Sequence, residues 1–146
     1  MESNTGFSLR QLFRELELRF GQSRPLSSPE LLGYYLTFLL LDRPLDEVWL
    51  ILLDSRKQLL QAIQITESTL HKERYPPLLQ KDPRTKYYCL AHTHGEYPTE
   101  PSREDIFTNQ NVSTYYGTNP TYLGAYIVNQ ALDYTLLPPQ KFENTR

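Results

Sequence analysis

The chain has 146 residues, of which 39% are hydrophobic and 22% are charged. A chain of this length buries roughly two-thirds of the surface that its unfolded form exposes, so we expect a single domain over residues 1–146. The formal charge is −2, from 15 basic and 17 acidic residues that form no long block. This balance argues against direct nucleic-acid binding, because phosphate contacts require a basic face.

The sequence shows none of the usual features of a disulfide-bonded, exported or membrane-spanning protein. Cys89 is the single cysteine, so an internal disulfide is excluded. The first thirteen residues lack the basic start and apolar run of a signal peptide. The longest apolar stretch, around Tyr34 to Leu40, is less than half of a bilayer crossing. We therefore expect a cytoplasmic protein with no membrane segment.

Two helices are predicted within residues 1–43, and we expect both to pack on the domain. The first is indicated by apolar residues at helical spacing before Gly21, namely Leu9, Leu12, Phe13, Leu16 and Phe20. The second begins with Ser28 at the N-cap and Pro29 at the first helical position. It is predicted to run to about Leu41.

Strands dominate the rest of the chain. The apolar run of Val48 to Leu53, a polar turn and a second run predict a β-hairpin. Tyr87 to His94 predicts a third strand, and Ser102 opens a helix to about Asn109. Two short strands around Asn129 and Gln130 close the chain, so the predicted fold class is mixed α/β.

Two of the three histidines form the pattern His92-Thr93-His94 at the end of the third strand. Residues i and i+2 of a strand point to the same face, roughly 6.5–7 Å apart, so both imidazoles can reach one metal ion. Alone, this pattern also fits two strand-end histidines at a wet surface. Asp105, in the first turn of the next helix, adds a third ligand and leaves one position for water. Such a set suits zinc and also non-haem iron.

His-x-His followed by Ser-x-x-Asp at this offset resembles the JAB/MPN (JAMM) metalloprotease family. The chain is most similar to the RadC-like branch and to small standalone bacterial JAB-domain proteins. The resemblance runs through LSSPELLGYYLTFLL, EVWLILLDSRKQLLQ and AHTHGEYPTEPSREDI, about two-thirds of the chain. It implies a cytidine deaminase-like three-layer α/β sandwich, with a mixed central sheet flanked by helices.

The resemblance also implies the role of each site residue. His92, His94 and Asp105 would bind Zn²⁺, Glu47 would accept the proton of the attacking water, and Ser102 would stabilise the oxyanion. Each role has an alternative. Glu47 is also explained as a solvated residue beside its strand, with Glu67 as a second candidate for the base. Ser102 is equally explained as a helix N-cap, and Asp105 as an acid that favours the helix dipole.

The implied function is that of a zinc-dependent isopeptidase or peptidase in a bacterial or phage setting. Its partner would be the C-terminal tail of a ubiquitin-like protein or another peptide, whose amide bond it hydrolyses. The alternative is a RadC-like accessory protein of mobile elements or DNA repair, which acts as a protein-binding scaffold with little peptidase activity. A third possibility is an interaction module whose metal serves stability. HTHG departs from the family pattern at Gly95, where proline is common, so we expect a less fixed loop there.

Overall fold

The computed structural model describes residues 9–65, 78–116 and 120–140. Within these ranges it contains three helices and five strands. The helices are α1 (Leu9–Ser23), α2 (Pro29–Leu39) and α3 (Arg103–Tyr116). The strands are β1 (Val48–Leu53), β2 (Leu59–Ile65), β3 (Tyr87–Thr93), β4 (Thr121–Val128) and β5 (Tyr134–Leu137). The predicted α/β class is confirmed, although α3 extends beyond its expected end at Asn109.

The five strands form one open mixed sheet in the order β2-β1-β3-β4-β5. The predicted hairpin of β1 and β2 is present, and β1 also pairs antiparallel with β3. The pairing of β3 with β4 is parallel, whereas β4 and β5 are antiparallel. A parallel pair requires a crossover connection, and α3 lies in the segment that joins these two strands.

Apolar side chains cover both faces of the sheet. On one face, α2 packs on β1, β3 and β4 through a cluster that includes Leu36, Ile51 and Ala91. On the other face, α3 contributes Val112 to a cluster with Leu50 and further residues of β1, β3 and β4. The sheet therefore has helices packed on it from both sides. The JAB/MPN assignment of this arrangement stays a prediction.

Helix α2 begins as the sequence predicts. The Ser28 side chain accepts the backbone N–H of Leu31 at 3.0 Å, and Pro29 occupies the first helical position. Pro lacks the N–H that would otherwise be unsatisfied there, so its presence costs no hydrogen bond. This cap fixes the start of the helix, and Leu36 and Leu39 are buried near its other end.

Helix α1 packs on α2 and β2 with an orientation that its sequence does not predict. Leu18 contacts the cluster on the α2 face, and Arg14 forms a 2.9 Å ion pair with Asp42. The apolar residues that predicted the helix are exposed instead, at Leu9, Leu12, Phe13, Leu16 and Phe20. Periodicity identified the helix correctly but not the face that it buries.

Two tyrosines of β4 belong to the core. Tyr122 is buried and donates its hydroxyl to Asn109 Oδ1 at 2.7 Å. Tyr126 is buried and donates to the Pro29 carbonyl at 3.1 Å. Burial with a satisfied hydroxyl is a packing role. In the described part of the chain, no helix is both long and apolar enough to cross a bilayer.

Cys89 is fully buried in β3, and burial raises the pKa of its thiol. Because the thiolate is the reactive form, we expect no reaction of the native protein with a thiol reagent at neutral pH. After unfolding in denaturant, one thiol per chain should react. Rapid labelling of the native protein would contradict this account of the core.

Candidate metal centre

The two histidines of the motif lie where β3 ends, on the face of the sheet that α3 covers. His92 is opposite Val48 of β1 and Ile127 of β4. The His92 and His94 rings meet edge to face, with their centroids 5.1 Å apart. Between them Thr93 points the other way, is buried, and donates its hydroxyl to the Pro44 carbonyl at 2.6 Å.

The loop after His94 turns at Gly95. Its φ is +62°, a left-handed conformation that glycine adopts readily and proline cannot. A Cβ at this position would lie 3.2 Å from the Leu45 backbone nitrogen. The Gly95 carbonyl also accepts the N–H of Gln130 at 2.7 Å. Glycine at this position therefore permits a close-packed turn, and the expectation of a less fixed loop stays a prediction.

Ser102 and Asp105 cap helix α3 reciprocally. The Ser102 N–H donates to Asp105 Oδ2 at 2.9 Å, and the Asp105 N–H donates to Ser102 Oγ at 3.1 Å. This is the arrangement of a capping box, with an aspartate in the usual place of glutamate. The Ser102 hydroxyl accepts in this bond and keeps its own proton for donation, so capping and oxyanion stabilisation are chemically compatible.

The Asp105 carboxylate joins the two histidines. Its Oδ1 contacts His92 Nδ1, and its Oδ2 lies 3.2 Å from His94 Nε2. One donor atom from each of the three residues lies within 4.8 Å of the other two. The side chains are largely shielded from solvent, with exposed fractions of 17% for His92, 12% for His94 and 4% for Asp105.

The electrostatics of this cluster favour a bound cation. Burial alone would raise the pKa of Asp105, but the hydrogen bonds from His92 and from the Ser102 N–H outweigh it and lower the pKa to about 2. Burial would likewise lower the pKa of His92, but the carboxylates of Asp105 and Asp46 raise it instead. Asp105 is therefore ionised at neutral pH, which a metal-binding carboxylate requires.

The Glu47 carboxylate lies away from this cluster. It accepts Arg43 Nε at 2.8 Å, Arg43 Nη2 at 2.6 Å and Trp49 Nε1 at 2.9 Å. These bonds lower the pKa of Glu47, the bidentate contact with Arg43 most of all. Trp49 packs with the cluster on the α2 face, whereas its neighbour Val48 packs on the α3 face. Glu47 therefore turns toward the side of the sheet opposite to His92.

The structure thus brings together four of the five residues predicted for the site: His92, His94, Ser102 and Asp105. Glu67, the second candidate for the base, lies outside the described residues. A carboxylate outside the predicted set also reaches the cluster, because Asp46 Oδ1 lies 2.9 Å from His92 Nε2. In the sequence, Asp46 could have been found as the first of two acidic residues directly before a buried strand.

A cavity of about 330 Å³ opens beside His92. Asp46, Glu104 and Asp105 border it, and its apolar lining comes from strand residues such as Leu90 and Ile127. A ligand that enters this cavity would meet carboxylates and one imidazole over an apolar wall. Two imidazoles and one ionised carboxylate form a donor set that fits a divalent transition metal and leaves positions for water or substrate.

The chain is similar to a RadC-like protein. It is 32% identical over 96 residues to a UPF0758 protein of Aeromonas hydrophila subsp. hydrophila. The alignment covers 63% of this chain and 43% of that protein, so the chain spans less than half the length of this curated relative. No family model matches the chain. No solved structure matches it either.

Protons and a metal ion compete for the same imidazole nitrogens, so metal affinity should depend on pH. Since the pKa of His92 is raised, a larger fraction of this ring is protonated at neutral pH than of an ordinary histidine. We expect zinc affinity, measured by isothermal titration calorimetry, to be highest above this pKa. Below it, affinity should fall about tenfold per pH unit, for one displaced proton. An affinity that stays constant from about pH 8 to about pH 6 would contradict this geometry.

Proposed function

We propose that this chain is a zinc-dependent hydrolase that cleaves an amide bond at the C-terminal tail of a ubiquitin-like protein or another peptide. The observation that carries the proposal is the convergence of His92, His94 and Asp105, with Ser102 beside them. Bound zinc would supply a Lewis acid that lowers the pKa of a coordinated water to roughly 7. The similarity to a RadC-like protein supports the same family of sites.

The three ligand residues have distinct tasks in this proposal. His92 and His94 provide neutral nitrogen donors from one rigid strand end, and Asp105 provides a buried anionic oxygen from the first turn of α3. Ser102 fixes the Asp105 carboxylate through its N–H. Its hydroxyl proton is free to stabilise the oxygen of a substrate carbonyl as negative charge develops.

The substrate would be an extended peptide. β2 is an edge strand of the described sheet, and its last residue, Ile65, lines the cavity beside His92. Peptides can add to such an edge through backbone hydrogen bonds. A tail paired with β2 would lead toward the cavity and bring its terminal amide to the metal ligands. Specificity would then depend on the apolar lining of the cavity.

The proton acceptor in this proposal differs from Glu47, the residue that the sequence predicts. For Glu47 to act as the base, its carboxylate would have to leave Arg43 and Trp49 and reach the other face of the sheet. We propose instead that Glu47 stabilises the segment before β1, and that proton transfer uses a carboxylate that borders the cavity. Two such carboxylates are not part of the ligand set, and because Asp46 is engaged with His92 Nε2, Glu104 is the candidate.

The central test compares D105A with D82A. Asp82 is an aspartate whose hydrogen bonds are with Arg84 in a separate turn, so it serves as the matched control. We expect about one zinc per chain in the wild type and in D82A, by elemental analysis. Both should hydrolyse peptide amides that carry a fluorogenic leaving group, and D105A should lose zinc and turnover together. Equal turnover in D105A would contradict the proposal.

The role of Glu47 is tested by comparing E47Q with R43Q, because both substitutions break the same ion pair. We expect the two variants to lose a similar amount of stability, measured by thermal unfolding. Their turnover rates should also be similar to each other. A general base contributes roughly 10²–10⁴-fold to a rate. A loss of that size in E47Q with near-normal turnover in R43Q would restore Glu47 as the base.

The second candidate function is a RadC-like protein-binding scaffold with little peptidase activity. The observation that favours it is the placement of Glu47, the expected base, on the face of the sheet opposite to the metal ligands. A wild-type protein that binds zinc but cleaves no amide substrate would support this candidate. Turnover that depends on Asp105 would exclude it.

A further inference from the structure

The segment before β1 holds Asp46 in an unusual backbone conformation. Its φ is +77°, in the left-handed region that residues other than glycine adopt rarely, with aspartate among the better tolerated. The Asp46 N–H donates to the Thr93 carbonyl at 2.6 Å, and the Thr93 N–H donates to the Glu47 carbonyl at 2.9 Å. Asp46 and Glu47 therefore both lie opposite Thr93, and two residues opposite one is the pattern of a β-bulge.

The direction of the chain before β1 determines which carboxylate meets the histidine. Side chains alternate along a strand and Val48 packs on the face of His92, so Asp46 lies on that face and Glu47 on the opposite one. Glu47 turns to Arg43 and Trp49, and Asp46 turns to His92. Bulges are common beside functional sites, where they redirect a side chain.

This conformation is held by contacts on both sides of Asp46. The Glu47 N–H donates to Thr93 Oγ1 at 2.9 Å, and Thr93 Oγ1 donates to the Pro44 carbonyl at 2.6 Å. The bidentate ion pair of Arg43 with Glu47 spans the same segment. The Asp46 carboxylate is thus presented by a fixed backbone, although its side chain is 78% exposed.

The two histidine rings are oriented in the same way. Each has one ring nitrogen toward Asp105 and the other toward an acceptor outside the ligand set. For His94, Nε2 faces Asp105 and Nδ1 lies 2.7 Å from the Pro98 carbonyl, to which it can only donate. For His92, Nδ1 faces Asp105 and Nε2 lies 2.9 Å from Asp46. Metal-binding histidines commonly donate their remaining N–H to a carbonyl or carboxylate in this way.

We propose that Asp46 is a positioning residue for the metal centre: it accepts the Nε2–H of His92, so that the Nδ1 lone pair of this ring faces the metal. The carboxylate fixes both the tautomer and the orientation of the ring, and it increases the electron density on the ligating nitrogen. Pro98 serves His94 in the corresponding way through its carbonyl. This inference rests on the proposed metal site and adds the ring nitrogen by which each histidine binds.

The main test uses D46G, because glycine is the residue that the left-handed backbone favours. This substitution removes the carboxylate without adding backbone strain. The matched control is K57G, which places glycine at another left-handed position, in the turn between β1 and β2. We expect D46G to bind zinc about 10–100-fold more weakly than the wild type. K57G should bind zinc within about twofold of the wild type.

D46N separates hydrogen bonding from direct coordination. An asparagine tolerates the same backbone and its side-chain oxygen still accepts Nε2–H, so we expect a smaller loss of affinity than in D46G. A loss in D46N equal to that in D46G would overturn the inference in favour of Asp46 as a metal ligand. Wild-type affinity in D46G would overturn it outright.

A spectroscopic readout is independent of affinity and of turnover. In the zinc-loaded wild type, long-range ¹H–¹⁵N spectra should show His92 protonated at Nε2 and His94 protonated at Nδ1. Protonation of His92 at Nδ1 would contradict the inference. If zinc binds neither the wild type nor K57G, the proposed function fails along with it. If zinc binding requires Asp105 but is unchanged in D46G, the positioning role alone fails.

Discussion

The parallel pairing of β3 with β4 is the constraint on which the site depends. Parallel neighbours cannot be joined by a tight turn, so the chain must leave the carboxyl end of β3 and cross back over the sheet. The crossover places the first turn of α3 next to the strand end that carries His92 and His94. Asp105 reaches both rings from there, and Ser102 fixes its carboxylate. The three-residue cluster is a consequence of this one connection.

Much of this arrangement could be predicted from local sequence patterns. The order of the described elements, the hairpin of β1 and β2, and the cap at Ser28 all followed from periodicity and turn chemistry. The ligand candidates followed from the spacing of His92, His94 and Asp105, because strand alternation and the first turn of a helix determine where these side chains point. Here local rules and tertiary structure agree.

The features that local patterns did not predict share a different physical cause. Glu47 and Asp46 are adjacent, and both pair with Thr93 of β3 in the conformation that leaves Asp46 facing His92. Periodicity places the strand but does not reveal this pairing or the positive φ of Asp46. The exposed apolar stripe of α1 is a second case, since the Arg14–Asp42 ion pair and the packing of Leu18 lie on the buried side. Long-range contacts decided both outcomes.

The central claim is that His92, His94 and Asp105 together hold one metal ion. X-ray absorption at the zinc edge of the zinc-loaded protein measures the ligand set directly. The account predicts two imidazole nitrogens and light oxygen ligands at roughly 2.0–2.2 Å, with no sulfur. A first shell without imidazole, or one that is unchanged in D105A, would contradict it.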